Sequence, residues 1–68
     1  MTPENALHVS QTGENWEVEN HTRTLAQAET KVEAIEFARH SALEMGIEHI
    51  LVHSSDGRVE EDITVRLE

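Results

Sequence analysis

Cysteine is absent from the chain, which removes disulfides, iron–sulfur clusters, Cys-based zinc sites and thiol nucleophiles together. Basic residues are scarce. Five Lys and Arg stand against fourteen Asp and Glu, a net charge of −9 with the five histidines neutral. That excess repels phosphate backbones and anionic headgroups, so neither direct nucleic-acid binding nor membrane-surface binding is expected. Long apolar runs are missing too: the longest, Ile50-Leu51-Val52, falls far short of the roughly 20 residues of a spanning helix. Met1-Thr2-Pro3-Glu4-Asn5 has neither the basic flank nor the apolar stretch of a signal peptide. A cytoplasmic location is the expectation.

What is present is a pattern. Sixty-eight residues make one small domain, and a chain of this size buries only about 60% of its unfolded surface, so a lone monomer would be marginally stable. The apolar residues are 37% of the total and arrive periodically, which argues for a folded chain despite the charge. Residues 1–5 read as a frayed polar start and 6–68 as a single domain. From Ala6, Leu7 and Val9 alternate with His8 and Ser10, the signature of a half-buried strand. Thr12-Gly13-Glu14-Asn15 supplies turn residues, and Trp16 and Val18 then alternate with Glu17 and Glu19. Residues 6–11 and 15–20 are therefore expected to form a β-hairpin. Thr24-Leu25-Ala26-Gln27 fits either a short edge strand or a loop.

Thr30-Lys31-Val32-Glu33 matches a capping box, in which the Thr hydroxyl accepts from the Glu amide and the carboxylate reaches back. At 100° per residue, Ala34, Ile35, Ala38, Ala42 and Met45 fall within an arc of roughly 100°, the width of a stripe packed on a sheet. Phe37 lies at the margin of that arc and is expected to cover a sheet edge. Glu33, Glu36, His40 and Glu44 point to water. Gly46 marks the end, so a helix is predicted over 31–45. His49-Ile50-Leu51-Val52-His53 reads as a strand apolar on both faces at its centre. Ser54-Ser55-Asp56-Gly57 then reads as a tight hairpin, Asp-Gly suiting the positive φ angles of a type I′ turn. Arg58-Val59-Glu60 begins a return strand, and the alternation of Ile63, Val65 and Leu67 extends it almost to the C-terminus. The expected architecture is α+β, in the order β-β-α-β-β, with an antiparallel sheet and one helix on one face.

His8-Val9, Trp16-Glu17-Val18, Thr30-x-x-Glu33-Ala34-Ile35-x-x-Ala38 and Leu51-Val52-His53-x-x-Asp56-Gly57-Arg58-Val59 together carry a resemblance. Over residues 8–59 the chain is similar to a family of small bacterial proteins catalogued as a domain of unknown function. Members of that family read roughly His-Val-Val, Trp-x-Val, Thr-x-x-Glu-Ala-Ile-x-x-Ala and Val-His-x-x-Asp-Gly-x-Ile. The resemblance implies the same β-β-α-β-β module and no particular activity. Two departures stand out. Glu19-Asn20-His21 replaces the basic and glycine residues expected between Val18 and Thr30, and the Ile63–Leu67 extension is more apolar than the usual tail. Both point to a partner or mode of assembly peculiar to this member.

Five histidines raise the question of a metal. His49 and His53 are four apart, but on a strand that spacing spans roughly 13 Å at about 3.3 Å per residue, and Zn–N bonds of about 2.0–2.1 Å do not bridge it. A site would need His8 or another residue from a neighbouring strand. No metal or cofactor is expected, and a weak His-based metal site is kept as an alternative. His8 and His53 have two readings: lining the helix-free face against a ligand, or bracing the sheet by hydrogen bonds. Trp16, the lone Trp, reads as a core anchor.

Catalysis has little to stand on. Ser10, Ser41, Ser54 and Ser55 lie in no G-x-S-x-G elbow. Adjacent members of Glu60-Glu61-Asp62 point to opposite sheet faces and form no dyad. An enzyme is not expected. The acidic surface is explained by solubility alone or, more sharply, by phosphate mimicry toward the basic groove of a nucleic-acid-handling protein. The leading expectation is a non-enzymatic protein-interaction module, with itself as one partner in a homodimer. Its surface is expected to be the helix-free sheet face, with His8, His49, Leu51 and His53, or the C-terminal strand, with Ile63, Val65 and Leu67.

Overall fold

A computed structural model describes residues 6–20 and 23–66. The expected frayed start at 1–5 and the site candidate Leu67 lie outside the described residues. Five strands and one helix follow in the order β1 (Ala6–Thr12), β2 (Asn15–Asn20), β3 (Arg23–Ala28), α1 (Lys31–Met45), β4 (His49–His53) and β5 (Val59–Thr64). The α+β class and the single helix agree with the sequence reading. Residues 24–27 belong to a strand, which makes the order β-β-β-α-β-β.

The strands form one sheet ordered β3-β2-β1-β4-β5. Three neighbouring pairs are antiparallel, but β1 and β4 run parallel, with Leu7 against Ile50, His8 against Leu51 and Val9 against Val52. The expectation of a purely antiparallel sheet is thus corrected. The physical reason is visible in β4, where Ile50, Leu51 and Val52 are all buried. A strand hidden on both faces belongs in the interior of a sheet, and α1 is the crossover that returns it beside β1.

The core lies between α1 and one sheet face. Leu7, Val9, Val18, Ile50 and Val52 are fully buried from the sheet, and Ala34, Ala38 and Ala42 from the helix. The fully buried side chains of the helix are all methyl groups, with Ile35 packed half-buried beside them, so it sits close to the pleat. Thr30 caps it as the sequence requires: its hydroxyl accepts from the Glu33 amide at 3.2 Å and stands 3.0 Å from the Glu33 carboxylate. Gly46 ends it at φ 72, and the Ile47 amide donates back to the Ala42 carbonyl at 2.8 Å.

That reversal drives Ile47 into the core, where it is 5% exposed, while Met45 is 46% exposed. Met45 was expected on the buried stripe, and Ile47 takes its place. Phe37 is largely exposed at the helix flank, and Trp16 packs half-buried against the core. α1 lies over β1, β2, β3 and β4. β5 lies beyond its flank and is reached by Lys31, whose Nζ is 3.1 Å from Glu61 Oε1.

The β4–β5 hairpin also differs in its turn. Gly57 has φ 88, and among the described residues no non-glycine has a positive φ, so Asp56 does not take up a type I′ turn. The Gly57 amide donates to the Ser54 carbonyl at 2.9 Å and the Ser54 amide to the Arg58 carbonyl at 2.7 Å. This is a turn centred on Ser55 and Asp56, followed by one left-handed glycine. Asp56 holds it by accepting from the Arg58 amide at 3.2 Å and from the Ser54 hydroxyl. Those two donors, the hydroxyl first, set the Asp56 carboxyl below the usual carboxylate range.

Candidate functional site

The face that α1 leaves uncovered is read directly from strand register. Leu7, Val9 and Val18 point to the helix, so His8 and Ser10 on β1, Glu17 and Glu19 on β2, and His49, Leu51 and His53 on β4 point away. The antiparallel partners add Gln27 from β3 and Asp62 and Thr64 from β5. Nearly every member is polar. Val59, the register partner of His53, is an exposed apolar exception, and Leu51 is a buried one, 6% exposed and not an open patch. It forms a small floor with buried Ala6, opposite His8 in the register and flanked along its own strand by His49 and His53.

Two of the histidines meet. His8 Nδ1 lies 2.8 Å from His53 Nε2, with ring centroids 5.1 Å apart and planes 27° from parallel. The pairing follows from the parallel register, which puts His8 opposite Leu51 and therefore beside the next outward residue of β4. His53 Nδ1 faces the Gly57 carbonyl at 3.4 Å. A carbonyl only accepts, so Nδ1 of His53 carries the hydrogen; in the neutral ring its Nε2 is then the acceptor and His8 Nδ1 donates. The chain of contacts runs from β1 through β4 into the hairpin turn.

Around this pair is an open recess of about 340 Å³ lined by His8, Ser10, Glu19, His53, Ser54 and Gly57, among others. The Ser10 hydroxyl donates to Glu19 Oε1 at 3.1 Å, and Gln27 Nε2 donates to Glu17 Oε2 at 2.9 Å. These contacts tie β1 to β2 and β2 to β3 across the same face. Both carboxylates are thus held by uncharged donors, and this part of the face stays negative.

His49 does not join the pair. Its Nδ1 lies 3.2 Å from Asp62 Oδ1 on β5. No group of three or more His, Asp or Glu among the described residues is arranged to hold a metal ion. Ile63 and Val65 lie on the other side of the sheet: Val65 is in the core, its amide donating to the Glu48 carbonyl at 2.7 Å, and Ile63 packs against it half-buried. The expected interaction surface thus divides into a histidine face and a pair of core residues.

Ser10, Glu19, Ser54 and Gly57 were not singled out as site residues by sequence reasoning. The signal for Glu19 was present, since a two-residue turn at Gly13-Glu14 fixes its register against His8. For Ser54 and Gly57 the signal was the turn itself, read only as a chain reversal.

The fold and site define a small two-layer α+β module with a polar, histidine-centred sheet face. A family model described as an uncharacterized protein conserved in bacteria (DUF2188) matches residues 7–65. The chain belongs to that family. No curated protein and no solved structure matches the chain. No helix among the described residues is long and apolar enough to cross a membrane.

Proposed function

We propose that this chain is a small non-enzymatic protein-interaction module that meets its partner through the helix-free face of its sheet. The observation that carries this reading is the His8–His53 pair: two side chains 45 positions apart, hydrogen-bonded at 2.8 Å on the one sheet face the helix does not cover. A brace for the sheet alone would be served by the buried core on the opposite side. Here the paired rings border an open recess whose lining offers serine hydroxyls, the Glu19 carboxylate and turn backbone, the mixture of donors and acceptors found in polar contact surfaces. Leu51 beneath the rings gives the contact a rigid apolar floor.

Site-specific photo-crosslinking in the bacterium that encodes the protein tests this. Crosslinking residues at positions 10 and 17 sample the helix-free face, and those at 36 and 40 the outer helix face. Protein adducts from 10 and 17, weakened by His8→Ala or His53→Ala, are expected. Adducts confined to 36 and 40, or no adduct at 10 and 17, overturn the reading.

A further inference from the structure

Of the chain's three glycines, only Gly57 follows an aspartate or asparagine. An Asp-Gly bond is a place where the main chain can rearrange without a catalyst. The glycine amide nitrogen attacks the aspartate Cγ, so an N–C bond forms and a C–O bond breaks. The amide hydrogen and the acid hydroxyl leave together as water. The five-membered succinimide then takes up water at either carbonyl and opens to aspartate or to isoaspartate. Glycine has no side chain to hinder the attack, and Ser55, Asp56 and Gly57 are all exposed to water. Only the geometry of the turn opposes the reaction.

That geometry engages both reactants elsewhere. The nucleophile is occupied, since the Gly57 amide donates to the Ser54 carbonyl at 2.9 Å. The electrophile is held at both oxygens. Asp56 Oδ1 accepts from the Ser54 hydroxyl and from the Arg58 amide at 3.2 Å, and Oδ2 lies 3.6 Å from Arg58 Nε. Donors aimed at a carboxylate favour its charged form, from which no oxygen departs as water until it is protonated. We infer that Asp56 is a site of isoaspartate formation gated by the β4–β5 hairpin: the closed turn suppresses the reaction, and each local opening permits it. The product does not close the same turn, because the main chain then runs through Cγ and is one carbon longer. The Gly57 carbonyl, which His53 Nδ1 faces at 3.4 Å, leaves its place, and the His8–His53 pair loses its anchor in the turn. A transient opening is thereby converted into a lasting change at the histidine face. The inference stands on the turn's own contacts and needs no partner for that face.

Incubation of the full chain at mildly acidic pH, native and in guanidinium chloride, tests the inference. Peptide mapping by chromatography and mass spectrometry separates the aspartate and isoaspartate forms at Asp56. Isoaspartate is expected in the unfolded chain, and about tenfold or more slowly in the native one. Ser54→Ala, shown to be folded by circular dichroism, removes one donor from the carboxylate. It should raise the native rate about threefold relative to its own unfolded rate. The purified isomerised chain should lose the exchange-protected His8 ring hydrogen in proton NMR. Equal rates in the native and unfolded chain overturn the inference. So does a native rate that Ser54→Ala leaves unchanged, and so does an isomerised chain that keeps the His8 hydrogen.

Discussion

His8 and Leu51 are register partners across the parallel β1–β4 pair, and the apolar partner is the hidden one. Leu51 is 6% exposed on a face that no helix covers. An aliphatic side chain stays dry there because wider polar neighbours stand around it. Leu51, expected on the interaction surface, therefore lies on that face without being open to a partner. The histidine face is a layer in its own right, one side chain thick.

Truncating that floor should be costly but not ruinous. Leu51→Ala is expected to lower stability by about 2 kcal/mol, the low end for a buried leucine, because the rings above can settle into the space. Urea unfolding followed by Trp16 fluorescence measures it. A loss below the error of the fit would mean that Leu51 is not a support for the pair.

The histidine hydrogen bond should contribute less. His53→Ala removes the acceptor for His8 and the donor to Gly57. Both orphaned groups border an open recess, so a loss of about 1 kcal/mol is expected. His53→Gln keeps a donor and an acceptor and should recover part of it. Proton NMR in water reads the effect directly, through the exchange-protected His8 ring hydrogen that the variant should lose.

Close seating of the helix is the most sensitive feature of the core. Ala38 is fully buried between Ala34 and Ala42 on the stripe that meets the sheet. Ala38→Leu inserts three carbons with no void to take them, and about 3 kcal/mol of destabilisation is expected. A leucine at an exposed site such as position 36 meets no comparable clash, so Glu36→Leu is the control in the same melt.

The hairpin turn should be acid-sensitive. The Asp56 carboxyl is held below its ordinary value of 3.8 by the Ser54 hydroxyl and then the Arg58 amide. A carboxylate lowered in the folded state contributes stability above the unfolded value, and that contribution is lost as pH falls through the folded one. Between those two values, stability should drop more steeply in the wild type than in Asp56→Asn. Chemical denaturation across that acid range reads the difference in slope, and parallel profiles would show that the turn does not depend on the charge.

Much of this fold was legible because its signals are local. The capping box, the alanine spacing and Gly46 bound α1 where the structure has it, and β4 announced itself by three consecutive apolar residues. β3 was not legible as a strand because of a bulge. The register slips between Val18 and Glu19, which puts Leu25 out of step with Ala26 and Ala28 and erases the period of two. Glu60 stands in the same relation to the β4–β5 bulge. The candidate site was half legible. His8 and His53 were named by the resemblance, but their meeting depends on a parallel pairing that no local pattern encodes.

That parallel pairing has a consequence for how the chain finds its shape. β1 and β4 are neighbours in space, yet Ala6 pairs with His49, 43 positions further along the chain. The antiparallel pairs on either side are local, each closed by a short connection. Two sub-assemblies, β1–β2–β3 and β4–β5, can therefore form early, while the junction between them waits for α1 to carry the chain across. Closing that long loop before any contact rewards it is the step expected to limit the rate. The His8–His53 bond spans the junction, and its appearance in a refolding experiment would time the moment at which the two halves become one sheet.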